Sequence, residues 1–256
     1  MPFTVSHAVV ALPFVRTPLL PAAIAIGAMT PDLPLFVRGT PVSYQLTHTN
    51  LAVSTVIAGA LTVLWYVLLR PSVRSLSPAW LAARLPREWD RVGVPEWWAR
   101  RPAWVSALLA VLSLLLGVAS HIAWDAFTHE GRWGTKLFPA LDERWGPLVG
   151  LKWLQYGSSA FGLIVLAVAA AVWLRRRPVG GATTGIPAIV RRSWWFSLPL
   201  VLVAAWAVGL VVYGGFTPEW TVQHLAYRVL PLACALWGAA TLVLCVVIVI
   251  RRRRPV

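Results

Sequence analysis

Residues 103–129 read AWVSALLAVLSLLLGVASHIAWDAFTH, and this stretch decides the predicted fold. From Ala103 to Ala119 every residue is apolar except for serine and glycine. A membrane-spanning helix needs about 20 mainly apolar residues. We therefore predict a helix that crosses a membrane and carries a more polar extension ending at His129.

Further stretches meet the same requirement and predict a polytopic membrane protein. They are Leu51–Leu69, Trp153–Leu174, Trp194–Tyr213 and Val229–Ile250. Over the 256-residue chain 58% of residues are apolar, 12% are charged, and the mean hydropathy is +0.69. These values exclude a disordered chain and argue against an ordinary soluble enzyme. The predicted fold class is all-α: a polytopic membrane helix bundle with five clear transmembrane helices, forming a single integral membrane domain over residues 1–256.

The net charge of +14 is concentrated in particular connections. Lysine and arginine are abundant in the loops 71–102 and 175–193 and in the tail 251–256, and sparse in the connections that alternate with them. By the positive-inside rule the basic loops and the C-terminus are cytoplasmic, and the other loops face outward. Membrane topology thus explains the charge, and nucleic acid, the first partner that a basic chain suggests, is not expected.

Residues 1–48, the predicted N-terminal segment and outer loop, allow three interpretations. Leu19–Met29 is apolar but too short to span a membrane alone, and several prolines, which break helices, precede it. The segment could be a secretory signal, a sixth span, or a re-entrant helical hairpin of Ser6–Val15 and Leu19–Ala28. We favour the hairpin, in which His7 returns beside Asp32. A sixth span would instead leave His7 on the cytoplasmic side.

Three ionisable residues lie in the polar extension of the 103–129 stretch. His121, Asp125 and His129 are four residues apart, so a helix places them along one stripe with a rise of about 6 Å between neighbours. Ionisable residues within membrane segments are costly and are therefore functional candidates. Imidazole and carboxylate are the usual zinc ligands, so we favour a metal site. A hydrogen-bonded proton relay or structural cluster and a chance arrangement are the alternatives.

Two more candidate ligands precede the first clear span. Asp32 stands in Thr-Pro-Asp, which is also a common turn and cap, and His48 could equally be an ordinary interfacial histidine. The loop charges, counted without reference to histidine, place Asp32, His48, Asp125 and His129 on the outward side. That agreement predicts one shared, extracytoplasmic metal site.

Other polar residues near that face are candidates for supporting ligands or contacting substrate. They are Gln155, Ser158, Ser159, Arg132 and Arg228. Either arginine could bind a phosphate group, and the amide and hydroxyls could orient metal ligands. The alternative interpretation is that these positions are simply the polar starts of interfacial helices.

These motifs together resemble a bacterial multi-pass membrane family known as domain of unknown function 4184. The resemblance is carried by Met1–His7, Ile26–Asp32, His48-Thr49, the pattern His121-x-x-x-Asp125-x-x-Thr128-His129, and Gln155-x-x-Ser158-Ser159. It implies a location in the bacterial plasma (inner) membrane.

A more distant resemblance concerns the order of the polar motifs. The order His, Gly-x-x-x-Pro-Asp, His, His-x-x-x-Asp-x-x-x-His is similar to inner-membrane metal-dependent hydrolases and to helical zinc-dependent phospholipase C-like proteins. It implies one set of metal ligands, namely His7, Asp32, His48, His121, Asp125 and His129. This chain lacks the additional histidines and aspartates of the full three-zinc site, so the number of metal ions stays open.

We therefore expect a membrane metal-dependent hydrolase whose cofactor is a divalent ion, with Zn²⁺ favoured. Asp125 or Asp32 would bridge metal ions or act as the catalytic base. A site at headgroup depth favours an amphiphilic substrate, such as a phospholipid or a polyprenyl phosphate ester, and makes membrane lipid the expected partner. Two alternatives stay open: a transporter of metal ions or protons, and a non-catalytic scaffold whose metal is structural.

Overall fold

The computed structural model describes residues 3–181 and 185–253 and confirms the all-α membrane architecture. Five helices in these ranges are long and apolar enough to cross a membrane. They are Leu51–Leu76, Ala103–Thr128, Gly150–Arg175, Ala188–Tyr213 and a last helix that begins at Val222. Each contains one of the five apolar stretches seen in the sequence.

The α-helices in chain order are α1 Pro21–Met29, α2 Leu33–Phe36, α3 Tyr44–Thr49, α4 Leu51–Leu64, α5 Arg70–Leu76, α6 Ala79–Ala82, α7 Glu96–Ala99, α8 Ala103–Thr128, α9 Trp133–Leu137, α10 Gly150–Arg175, α11 Ala188–Tyr213 and α12 Val222–Arg253. The 3₁₀-helices are Thr4–Phe14, Thr30–Asp32, Arg87–Asp90 and Pro139–Asp142, and a π-helical turn, Trp65–Leu69, joins α4 to α5. Strands β1 Arg144–Trp145 and β2 Leu148–Val149 form an antiparallel ribbon before α10.

The predicted loops 71–102 and 175–193 and the predicted tail 251–256 include residues that are helical in the structure. Residues 71–76 belong to α5, residues 188–193 to α11, and Arg251–Arg253 to α12. Within the first span Arg70 is buried because its Nη2 donates hydrogen bonds to the carbonyl oxygens of Arg91 and Gly93. Such pairing lets an arginine continue an apolar helix. Residues 254–256 of the predicted tail lie outside the described residues.

Two compact units make up the chain. The first comprises Met1–Pro34, Pro41–Val63 and Val94–Arg176, and the second comprises Leu35–Thr40, Leu64–Gly93 and Arg177–Val256. The single integral domain expected from the sequence stays a prediction.

The N-terminal segment of the first unit is a helical hairpin, the favoured one of the predicted forms. Its first arm is Thr4–Phe14 and its second arm is α1, and the two arms pack against each other. The second arm also packs along α8, where a Cβ on Gly117 would lie 2.2 Å from the Ile24 oxygen. Glycine permits this close approach. The first arm packs on α10, with Ser6 against Gly162.

In the second unit α11 packs along α12. The Trp194 indole donates a hydrogen bond to the Thr241 hydroxyl (3.0 Å), and the Trp237 indole donates one to the Ser197 hydroxyl (2.9 Å). Hydrogen-bonded indoles satisfy the polar atom of a large apolar side chain. These contacts hold the last two spans side by side.

Candidate metal centre

Four buried side chains converge in the first unit from three segments of the chain. Asp32 ends the 3₁₀ turn that follows the second arm, and His48 lies in α3, whose N-cap Ser43 accepts a hydrogen bond from the Leu46 amide. His121 and Asp125 lie on successive turns of α8. None of the four ligand candidates is more than 3% exposed. We call Asp32, His48, His121 and Asp125 the tetrad.

Backbone carbonyls fix the orientation of both tetrad histidines. His48 Nδ1 is 2.9 Å from the Tyr44 oxygen, and His121 Nδ1 is 2.7 Å from the Ala28 oxygen. A carbonyl oxygen can only accept a hydrogen bond, so each Nδ1 carries the proton. In the neutral rings each Nε2 therefore presents a lone pair. Metal-binding histidines are oriented in this same way, with the other ring nitrogen donating to a carbonyl or carboxylate.

The free atoms of the tetrad point at one another. His48 Nε2 and His121 Nε2 are 3.2 Å apart, and each is 3.4 Å from Asp125 Oδ2. Ligands about 2.0–2.1 Å from a tetrahedral zinc ion lie roughly 3.3 Å from each other. These three edges therefore match a metal coordination shell. Asp32 Oδ1 is further away, 4.0 Å from His48 Nε2 and 3.7 Å from His121 Nε2.

In each carboxylate of the tetrad, one oxygen has a threonine hydroxyl beside it and the other has no hydrogen-bond donor among the described residues. Asp32 Oδ2 accepts a hydrogen bond from the Thr4 hydroxyl (2.7 Å), and Thr128 Oγ1 is 3.5 Å from Asp125 Oδ1. Among the described residues nothing donates a hydrogen bond to the buried Asp32 Oδ1 or Asp125 Oδ2. A buried carboxylate oxygen without a partner is costly, and a cation at the point where these oxygens meet the imidazole lone pairs removes that cost.

His7 and His129 each lie close to the Asp125 carboxylate. His7 Nε2 is 3.7 Å from Asp125 Oδ1, and its ring centroid is 4.1 Å from that of His121. His129 Nδ1 is 3.5 Å from Asp125 Oδ2 and 3.2 Å from the Asp125 backbone oxygen. The Nε2 atoms of both histidines are buried without a hydrogen-bond partner among the described residues. The structure thus gathers all six predicted ligands, four of them in the tight tetrad.

Burial shifts the protonation of the groups outside the spans. Burial, together with the neighbouring His121, lowers the pKa of His7 to about 3. Burial also lowers the pKa of His129 and raises the pKa of Asp32. The two histidines are therefore kept as neutral imidazoles, the form that can act as a ligand.

The predicted supporting residues on α10 make hydrogen bonds with other parts of the first unit. Buried Gln155 accepts a hydrogen bond from Lys152 Nζ (3.0 Å). The Ser159 hydroxyl accepts one from the Phe3 amide (2.9 Å), and the Ser158 hydroxyl accepts one from the Trp124 indole (3.2 Å). The two serine bonds tie α10 to the N-terminal segment and to α8. Their predicted functional roles stay predictions.

The two predicted arginines occupy different units. Arg132 lines a polar cavity of about 350 Å³ together with His129, Lys152 and Glu130. Arg228 belongs to the second unit, where its Nε donates a hydrogen bond to the Tyr213 hydroxyl at 3.3 Å. Arg132 therefore lies beside a candidate ligand, and Arg228 is accounted for by the tyrosine.

Sequence reasoning assigned no role to several residues that support the centre. Thr4 holds Asp32, Thr128 contacts Asp125, and Lys152 shares the cavity of Arg132. Hydroxyl groups are common in helices, and both threonines entered the sequence analysis only as parts of the motifs that carry the family resemblance. Lys152 carried the only available signal, since it is one of just two lysines in a chain rich in arginine.

The fold and the cluster define a class: a multi-pass membrane protein with a buried histidine and aspartate group that could hold a metal ion. The chain belongs to the family described as Domain of unknown function (DUF4184), whose model matches residues 1–252. The family resemblance seen in the sequence is thereby confirmed. Comparison with curated proteins and with solved structures found no match.

Proposed function

We propose that this protein is an integral membrane metal-dependent hydrolase that acts on a lipid-linked phosphoester at the extracytoplasmic face of a bacterial plasma membrane. One observation carries the proposal. Two imidazole nitrogens with fixed lone pairs and two unpartnered carboxylate oxygens all lie within 4.8 Å of one another in a buried site. Such a donor set suits zinc or a neighbouring divalent ion.

We assign His48, His121 and Asp125 as the main ligands because their atoms match the edges of a tetrahedral shell. Two imidazoles and one carboxylate are a set found in catalytic zinc sites, which keep one further position for water or substrate. A bound divalent ion supplies Lewis acidity and lowers the pKa of a water that it binds toward about 7.

Asp32 is the candidate general base. Its Oδ1 stands slightly back from the other three atoms, and Thr4 holds its Oδ2. That distance leaves the Asp32 oxygen close enough to take a proton from a water beside the ligands.

The cavity beside His129 supports an anionic substrate. Arg132 and Lys152 contribute two positive charges to it, and Glu130 contributes one negative charge. A phosphate group there would be held by charge-assisted hydrogen bonds. The arginine-rich loops lie on the other connections of the chain, so the positive-inside rule puts this cavity outside the cell.

A structural metal site is the second candidate function. If Asp32 moved in to complete the shell, four protein ligands would close it, as in structural zinc sites. Transport of ions or protons has less support, because Ala103–Ala119 of α8 offers only serine hydroxyls beyond the centre, and Ser106 and Ser113 donate to backbone carbonyls.

The test is metal analysis and activity of the detergent-purified protein. We expect bound zinc, or another divalent ion, in the wild type and its loss in His121→Ala and Asp125→Ala. The matched controls His224→Ala and Asp142→Ala change exposed residues and should keep the metal. Absence of metal from the wild type would refute the proposal.

Activity separates the catalytic from the structural candidate. We expect hydrolysis of lipid phosphomonoesters or phosphodiesters by the wild type, and loss of that hydrolysis in Asp32→Asn with metal retained. A metal-loaded protein that hydrolyses none of these substrates would favour the structural site. Full activity of His121→Ala would show that the tetrad is not the active centre.

A further inference from the structure

An apolar cavity of about 340 Å³ lies in the first unit between the first arm, α8 and α10. Its walls include Val9 and Val10 from the first arm, Trp124 from α8 and Phe161 from α10. The volume is at the lower end of the range for small-molecule sites, roughly 300–1,000 Å³. We call this cavity the lateral groove.

One end of the lateral groove reaches the metal centre. His7 lines the groove, and the same ring has its Nε2 3.7 Å from Asp125 Oδ1. Ser6 and Ser158 are among the few other polar side chains in the walls. A molecule in the groove would therefore have its polar end at His7 and Asp125.

The other walls of the groove reach the lipid-facing surface. Phe161 is 66% exposed and Trp124 is 41% exposed, and both stand on helices that are long and apolar enough to span a membrane. Exposed apolar side chains on such helices contact lipid rather than water. Ser120, also in the wall, is five residues before Asp125, or about 7.5 Å further along α8 toward its apolar part.

The lateral groove is mainly apolar, whereas the cavity beside His129 is polar, and a histidine from each lies close to Asp125. His7 of the groove and His129 of the polar cavity both border Asp125. The polar cavity carries Arg132 and Lys152, whereas the groove is walled mainly by aliphatic and aromatic side chains. An amphiphile with an anionic head matches both sides at once.

We propose that the lateral groove holds a single long hydrocarbon chain of the substrate, which enters sideways from the bilayer. The substrate class is then an alkyl or isoprenyl phosphoester whose phosphate lies at the metal centre. This deepens the proposed function: the position of the phosphate rests on it, while the binding of the chain does not.

The test uses hexadecyl phosphate that carries a diazirine a few carbons from the phosphate, added to the purified full-length protein in detergent. We expect saturable photolabelling of residues 9, 10 and 161, mapped by mass spectrometry and displaced by unlabelled hexadecyl phosphate. Val10→Trp fills the groove and should lower this labelling at least about tenfold, equivalent to roughly 1.4 kcal/mol. Val111→Trp, a matched change at an exposed position on α8, should not.

Metal content checks that the variant is folded. Val10→Trp should retain wild-type metal, and if it does not, Val9→Phe narrows the same groove with a smaller side chain. The proposal would be overturned if the wild type shows no saturable labelling. It would also be overturned if a metal-loaded groove variant is labelled as strongly as the wild type.

The two proposals fail in different ways. If the hydrocarbon chain binds but no phosphoester is hydrolysed, the groove proposal stands and the proposed hydrolase activity is refuted. In an active protein, we expect Val10→Trp to raise the KM for hexadecyl substrates and to spare a short, water-soluble phosphodiester. An equal loss of activity on both substrates would refute the groove proposal and leave the hydrolase proposal standing.

Discussion

Replacing Gly117 by alanine should weaken both the fold and the metal centre. A Cβ at this position would lie 2.2 Å from the Ile24 oxygen and 2.8 Å from the Ala28 nitrogen. Those atoms belong to the second arm, whose Ala28 oxygen accepts the hydrogen bond of His121. The substitution therefore presses the second arm away from α8 at the point where it orients a candidate ligand.

The size of the effect follows from the distances. Ordinary contacts of carbon are about 3.5 Å, so the two helices must separate by roughly 1 Å. Overpacking of this kind costs about 1–3 kcal/mol. The same shift would stretch the His121 Nδ1 to Ala28 oxygen distance of 2.7 Å beyond hydrogen-bonding range. Loss of such an orienting bond lowers metal affinity about 10–100-fold.

Thermal unfolding in detergent and zinc titration against a chelator measure the two effects. Gly157→Ala is the matched control, because a Cβ there meets nothing within 4 Å. We expect Gly117→Ala to unfold at a lower temperature and to bind zinc more weakly, with Gly157→Ala close to wild type. A Gly117→Ala protein with wild-type stability and affinity would refute the link between helix packing and the metal centre.

Three further predictions concern single side chains. Thr4→Val removes the hydrogen bond to Asp32 Oδ2, so we expect weaker metal binding with little change in the far-UV circular dichroism; Thr217→Val, at an exposed site in the second unit, is the control. His7 has a pKa of about 3 when folded and about 6.5 when unfolded, so the unfolded chain binds more protons between these values. The free energy of unfolding of the chelator-treated protein should therefore fall as pH falls from about 6.5 toward 3, less steeply in His7→Gln, and an equal slope would contradict the assigned burial. Asp90→Asn removes the carboxylate that pairs with both Arg74 and Arg252, so thermal stability should drop while metal content stays at the wild-type level.

The spanning helices were predictable because a lipid environment leaves few choices. A stretch such as Ala103–Ala119 can satisfy its backbone in a bilayer only as a helix, so composition and length decide the structure. The residues at which these helices end were less predictable. Arg70 ends the apolar run in the sequence, yet the helix continues past it, because the carbonyl oxygens of Arg91 and Gly93 accept hydrogen bonds from its guanidinium.

The candidate metal centre was partly predictable for a similar reason. His121, Asp125 and His129 share a helix face through spacing alone. Asp32, His48 and His7 come from other segments, and their convergence depends on the hairpin, which periodicity does not determine. The tight contact of Gly117 with the second arm and the orienting carbonyls of Tyr44 and Ala28 have no signature in side-chain chemistry.

The position of the first arm affects how the molecule can be synthesised. Thr4–Phe14 precedes its packing partners α8 and α10 in the chain, so it is translated before either of them. During translation the first arm therefore exists for a time without its packing partners. The tetrad can therefore form only after α8 has been translated, because His121 and Asp125 both belong to that helix. Incomplete chains that lack α8 would then carry His7 and His48 without the other half of the tetrad.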